Sequence, residues 1–128
     1  MNGIILTATD RTPAVHFDFD ENVYRLSGEC FPEDTNAFFG PVIDQLERHL
    51  AGLSGAAVEF TFALIYFNSS SAKVVMELFD LLDATAARNN RVTIVWAYEE
   101  EDDSVLEIGE EFGEDLVNAT FVLKEVPL

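Results

Sequence analysis

Val58-Glu59-Phe60-Thr61-Phe62-Ala63-Leu64-Ile65-Tyr66-Phe67-Asn68-Ser69-Ser70-Ser71 is the stretch whose reading decides the fold. Its first ten residues alternate and then become continuously apolar, the pattern of a strand buried on both faces. The run stops at Asn68 and three serines, and a helical pattern opens near Ala72. From Lys73 to Arg88, the residues Val74, Val75, Leu78, Leu81 and Leu82 form an apolar stripe at helical spacing, with Met76 and Phe79 at its edges. Lys73, Glu77, Asp80 and Asp83 face outward on that helix, and Asn89-Asn90 ends it. Arg91 to Tyr98 then reads as another buried strand. Strands separated by a helix are parallel neighbours joined by a right-handed crossover.

Working outward, Val15, Phe17 and Phe19 alternate with His16, Asp18 and Asp20, which predicts a half-buried strand. Glu21-Asn22 is a two-residue turn, and Val23 to Glu29 completes a hairpin. Pro32 to Asn36 is rich in capping residues, and a helix follows to about Leu50 with Phe38, Phe39, Val42, Ile43, Leu46 and Leu50 on one face. Gly40-Pro41 predicts a kink in that helix or a start nearer Pro41, because proline removes a backbone hydrogen bond and clashes with the preceding turn. Gly52 and Gly55 stop it. Downstream, Ser104-Val105-Leu106-Glu107 reads as a capping box opening a last helix, and Ala119 to Lys124 as a final strand. Residues 1–13 show little periodicity and read as a lead-in. The expected architecture is one α/β domain over residues 1–128: a single mixed β-sheet packed with helices, in the order ββαβαβαβ.

Composition narrows the function. At 128 residues with 48% hydrophobic content and eleven Phe, the chain can build a real core without staples. Twenty-four acidic side chains against seven basic ones give a net charge of −17. Phosphate backbones and anionic membrane surfaces are repelled by such a chain, so nucleic-acid binding and membrane insertion are not expected. The single cysteine, Cys30, excludes an internal disulfide and fits a reducing compartment. With neither a signal-peptide pattern nor an apolar run long enough to span a bilayer, the expectation is a soluble cytoplasmic protein.

The hydroxyl-rich turn is the one concentration of chemistry. In the structural reading, serines at a helix start cap free backbone N–H groups. In the functional reading, a hydroxyl there receives a phosphate, which meets the positive end of the helix dipole and brings about −1.5 to −2 of charge. Lys73, about one turn on, reaches it. No G-x-S-x-G elbow surrounds Ser69, Ser70 or Ser71, and the two histidines, His16 and His49, read as surface residues. With one cysteine and no paired spacing, neither a zinc site nor a catalytic residue is expected. Asp18-x-Asp20-x-Asn22 begins like a calcium loop, but Val23 stands where that loop needs glycine, and strand alternation explains the acids better. No cofactor is implied. The ten acidic residues between Glu99 and Asp115, with no basic one among them, read as a solvated face or as a dock for a basic partner.

Several segments, in order along the chain, resemble the SiaC family of bacterial regulatory phosphoproteins. Asn68-Ser69-Ser70-Ser71 resembles that family's L-N-T-S-S segment, and Phe31-Pro32-Glu33 its aromatic-Pro-Glu entry to the first helix. Phe38-Phe39-Gly40-Pro41-Val42-Ile43 is similar to its F-G-x-[VI]-I segment, Leu78-Phe79-Asp80-Leu81-Leu82 to its central helix, and Glu110 to Asp115 to its E-E-F-x-E-D ending. The resemblance implies a STAS-type, anti-sigma-factor-antagonist-like fold. It implies a switch worked by a protein kinase and a PP2C-type phosphatase, with a diguanylate cyclase or another regulatory target as partner in a biofilm pathway. The family's phosphothreonine falls on Ser69, where serine replaces threonine. On this view Asn68 shapes the turn, Ser70 or Ser71 caps, and Lys73 steadies the phosphate. The alternative is a small anion- or phosphometabolite-binding domain or enzyme using the Ser69–Ser71 turn, and a purely structural subunit is a third reading.

Overall fold

The computed structural model describes residues 3–127. Six strands and three helices follow one another as β1 (Gly3–Leu6), β2 (Ala14–Asp18), β3 (Val23–Cys30), α1 (Thr35–Ala51), β4 (Ala57–Phe67), α2 (Ser69–Ala87), β5 (Arg91–Glu99), α3 (Asp103–Glu114) and β6 (Thr120–Val126). They form one mixed sheet in the order β1-β2-β3-β4-β5-β6. β1, β2 and β3 run antiparallel, and β3 to β6 are parallel, each joined to the next by a helix.

The expected mixed sheet packed with helices is therefore present, with one strand more than the ββαβαβαβ order. β1 lies inside the stretch read as a lead-in. Four residues at a sheet edge carry too little alternation to be read locally, and β2 supplies their pairing. A second difference concerns the central strands. In β4 the buried residues are Val58, Phe60, Phe62 and Leu64, while the alternate residues Glu59 and Ile65 are exposed and Thr61 and Ala63 half-buried. β5 alternates in the same way through Val92, Ile94 and Trp96. These strands are buried on one face, not two, because all the crossovers return on the same side and stack the three helices there.

The core lies between that face and the helices. Phe17, Tyr24, Phe60, Phe62 and Trp96 from the sheet meet Phe39, Leu46, Leu50, Leu78, Phe79 and Leu82 from the helices. Fully burying each such side chain contributes roughly 1.5–3 kcal/mol. α1 runs continuously from Thr35 through Pro41, so it does not start nearer Pro41. Asp34 caps the helix early enough that Pro41 falls within an established run, with its ring in solvent. The hairpin turn takes four residues, and Asn22 within it adopts a left-handed φ of 56°. His49, read as a surface residue, is half-buried: its Nε2 lies 2.8 Å from Asn22 Oδ1 and its ring packs on Phe19.

Polar clasps close the far end of the helices. Asn90 Nδ2 donates to Leu53 and Thr85 carbonyls while its Oδ1 accepts from the Ala56 amide. Arg88 donates to the Leu50 carbonyl at the end of α1. Asp83, expected to point to solvent, instead accepts from the amides of Val117, Asn118 and Ala119 and ties α2 to the turn before β6. Burial acts to raise its pKa, but those three amides outweigh it and hold the carboxyl below its usual range.

Candidate functional site

Each helix begins where a parallel strand ends, so the three helix N-termini share the carboxyl edge of the sheet. The same capping solution recurs three times. Asp34 accepts from the Ala37 amide at 3.0 Å, Asn68 from Ser71 at 3.0 Å, and Asp102 from Val105 at 3.1 Å. In every case the cap's side-chain oxygen takes the amide of the third helical residue, which that turn leaves without an acceptor. The last helix is thus capped by Asp102 and starts at Asp103, ahead of the Ser104 box, and Ser104 does not cap it.

At the central helix the three serines are its first three residues and not a preceding turn. Capping falls to Asn68, the residue expected to shape the turn, and neither Ser70 nor Ser71 takes that role. Ser69 and Ser70 are exposed, whereas Ser71 is fully buried. The Ser71 Oγ lacks a hydrogen bond of good geometry. It lies near the buried Cys30 thiol, whose pKa is pushed up by burial and drawn part of the way back by this hydroxyl. Ser71 is a core residue, inaccessible to any enzyme acting on the folded protein.

The two remaining hydroxyls have different surroundings. Ser70 lines an open groove of about 420 Å³ between α1 and α2, together with Glu33, Asp34, Glu77 and Lys73. One residue is about 100° of helical turn, so Ser69 points away from that groove, and Lys73, four residues on, stands about 40° round from it. Ser69 thus occupies the solvent-facing ridge of α2, in line with Met76 and Asp80. Lys73 is exposed one turn below both hydroxyls. Asn68 is the only uncharged member of the three caps, so the α2 terminus keeps its positive dipole end without a carboxylate on its own cap.

Beside this turn the strand end is irregular. The β3–β4 register shifts between Gly28 and Glu29, and Ile65 and Tyr66 are both about half exposed, at 49% and 52%. Tyr66 packs edge-on against Phe31 with ring centres 5.6 Å apart. An exposed apolar ledge therefore flanks Ser69, which the sequence pattern had placed inside a doubly buried strand. Among the described residues there is no group of three or more His, Cys, Asp and Glu placed to hold a metal ion. Among the same residues no helix is long and apolar enough to cross a membrane.

Comparison with known proteins gives a consistent picture. The family model for the SiaC family regulatory phosphoprotein matches residues 6–126. An uncharacterized protein of Pseudomonas aeruginosa (strain UCBPP-PA14) is 34% identical over 115 residues, 90% of each chain. The structure of SiaC of Pseudomonas aeruginosa is similar at a TM-score of 0.86 and 31% identity, over 98% of this chain and 100% of that one. SiaC in a crystal structure described as the diguanylate cyclase SiaD in complex with its activator, from the same organism, is similar at a TM-score of 0.87 and 32% identity, over 96% of this chain and 99% of that one.

Proposed function

The chain belongs to the SiaC family of regulatory phosphoproteins, and from that premise we propose that it is a switch in which phosphorylation of Ser69 controls docking on a partner protein. It acts as a regulator and not as an enzyme. The observation that carries the reading is the position of Ser69: exposed, first in α2, and behind a neutral cap. A phosphate there meets the positive helix end and the amides of the first turn, which have no intrahelical acceptor. Lys73 supplies a cation one turn away. A phosphate on Ser70 would share its groove with Lys73 but would also face Glu33, Asp34 and Glu77, three carboxylates against one ammonium, so Ser69 is the favoured acceptor of the two.

The helix already accommodates an anion, so the modification needs no refolding. It changes the charge and bulk of the α2 ridge that carries Ser69, Met76 and Asp80. In the unmodified state that ridge docks on the target; the phosphorylated ridge is released or redirected. A protein kinase adds the phosphate and a PP2C-type phosphatase removes it. By relationship to SiaC, whose complex with SiaD is that of an activator with a diguanylate cyclase, the target is a diguanylate cyclase, and the output is cyclic-di-GMP signalling in biofilm growth.

Intact-mass and peptide mapping of protein from its native cells, followed by pull-down of the cyclase, tests this. A +80 Da form on Ser69, with wild type released by active kinase and Ser69→Ala retained, is the expected result. Release of both proteins alike, or modification confined to Ser70, overturns it.

A further inference from the structure

With all three helices on one side, the other face of the sheet carries no element. Side chains alternate across a strand, so register identifies what it presents. Ile5, His16, Arg25, Thr61, Val95 and Val122 lie side by side in one row across all six strands. Ile5, Val23, Ile65, Tyr66 and Val122 on this face are 41–62% exposed, and they account for five of the nine large hydrophobic side chains exposed among the described residues. Small and β-branched residues, Thr61, Ala63, Thr93 and Val95, fill its centre.

The charge of the face is as unusual as its apolarity. Arg25, Arg91 and Lys124 point to it, against Asp18, Glu29, Glu59 and Glu99. Three of the chain's seven Lys and Arg side chains are thus gathered where only four of its twenty-four carboxylates are, and nearly all of the net −17 lies elsewhere. Two copies of a strongly acidic chain repel one another on most approaches. This face brings apolar surface together without bringing two large negative charges together, and its mixed Arg, Lys and Glu rim can pair with its own image.

We propose that the helix-free sheet face is a self-association surface, on which two copies of this chain stack face to face. Six strands at about 4.8 Å spacing, each contributing about 20 Å of length, offer roughly 600 Å² per partner. That lies somewhat below the roughly 800 Å² of a standard interface, so the dimer is weak, with a Kd in about the micromolar range. Stacked sheets approach to about 10 Å, which the small residues at the centre permit. Both Ser69 ridges stay on the outer, helical sides, so dimerisation and the switch proposed above are independent.

Sedimentation velocity on the full chain, from about 5 to about 500 μM, tests the proposal across the Kd expected for so small an interface. The sedimentation coefficient should rise with concentration. It should rise further as salt goes from about 0.05 to about 0.5 M, because screening removes the long-range repulsion between like-charged copies. Val122→Lys and Thr61→Lys should each weaken the dimer at least about tenfold, although both reduce the net negative charge. Met76→Lys on the helical side should not. Val122 is exposed at the edge strand, so that variant carries the test even if Thr61→Lys folds poorly. A chain that stays monomeric at the highest concentration in high salt overturns the proposal, as does a dimer weakened by Met76→Lys and indifferent to Val122→Lys.

Discussion

At the scale of single residues, the serine turn separates into distinct jobs that its composition does not reveal. Asn68 caps, Ser69 faces solvent on the ridge, Ser70 faces a carboxylate-lined groove, and Ser71 belongs to the core. Two substitutions should tell the cap from the buried hydroxyl. Asn68→Ala is expected to lower stability by about 0.5–2 kcal/mol, the usual cost of losing an N-cap. Ser71→Ala should change it by less than about 1 kcal/mol in either direction, because its hydroxyl makes no good hydrogen bond to lose. Urea denaturation of both variants checks the contrast. Asp83 offers a pH signature. Its folded pKa is depressed, so its contribution is present above the ordinary carboxylate value and disappears as pH falls through the folded one. Asp83→Asn should therefore cost about 1–3 kcal/mol at neutral pH, and the gap to wild type should close at pH values below about 4. A gap independent of pH would show that the charge of Asp83 does not matter.

Among the elements, α3 has the most exacting seat. Trp96 is fully buried, and its Nε1–H donates to the Val105 carbonyl at 2.9 Å. Gly109 lies over the indole, and a Cβ there would fall well inside contact distance of the ring. Gly109→Ala should destabilise by about 1–3 kcal/mol, the typical cost of overpacking a filled site. At exposed Gly40 a Cβ meets nothing within 4 Å beyond its chain neighbours and its own helix backbone. Gly40→Ala gains about 0.5–1 kcal/mol of helix propensity but sets its Cβ against the Pro41 ring that follows, so it should change stability by less than about 1 kcal/mol. Thermal unfolding should lower the Tm of Gly109→Ala clearly and leave that of Gly40→Ala near wild type. The helices were readable because their apolar stripes are long. Their starts were read less well, since Asn68 and Asp102 win the capping role only by reaching the third amide, and neighbouring serines carry an oxygen suited to the same bond.

For the whole molecule, charge and layering act together. The helical layer and the loops carry almost all of the −17, so the folded chain stores self-repulsion that salt relieves. Raising ionic strength from about 0.05 to about 0.5 M, over which the Debye length falls from more than 10 Å to less than 5 Å, should raise the Tm. A Tm that falls would mean that attractive pairs such as Arg11–Glu33 and Arg48–Asp44 outweigh the net repulsion. The one-sided placement of the helices leaves a sheet face of low net charge on one side and an acidic ridge bearing Ser69 on the other. The proposed self-association and phosphorylation surfaces are thereby kept apart.

The sequence by itself determined the parallel strand–helix succession from β3 to β6, the hairpin before it, and the hydroxyl cluster at the head of α2. Each rests on a local signal: hydrophobic period, turn chemistry, or polar residues at a strand end. Only the tertiary structure decided that β1 pairs at the edge and that the central strands are covered on one face. It also decided that Asp83 is bound by backbone amides and that one serine of three is buried. The physical reason is the same in each case. An apolar residue on a strand shows that it can be buried, and a hydroxyl or carboxylate shows that it can bond, but which groups meet is set by where distant segments return. β4 looked doubly buried because Thr61, Ala63 and Ile65 are compatible with burial; the direction of three crossovers left them facing outward.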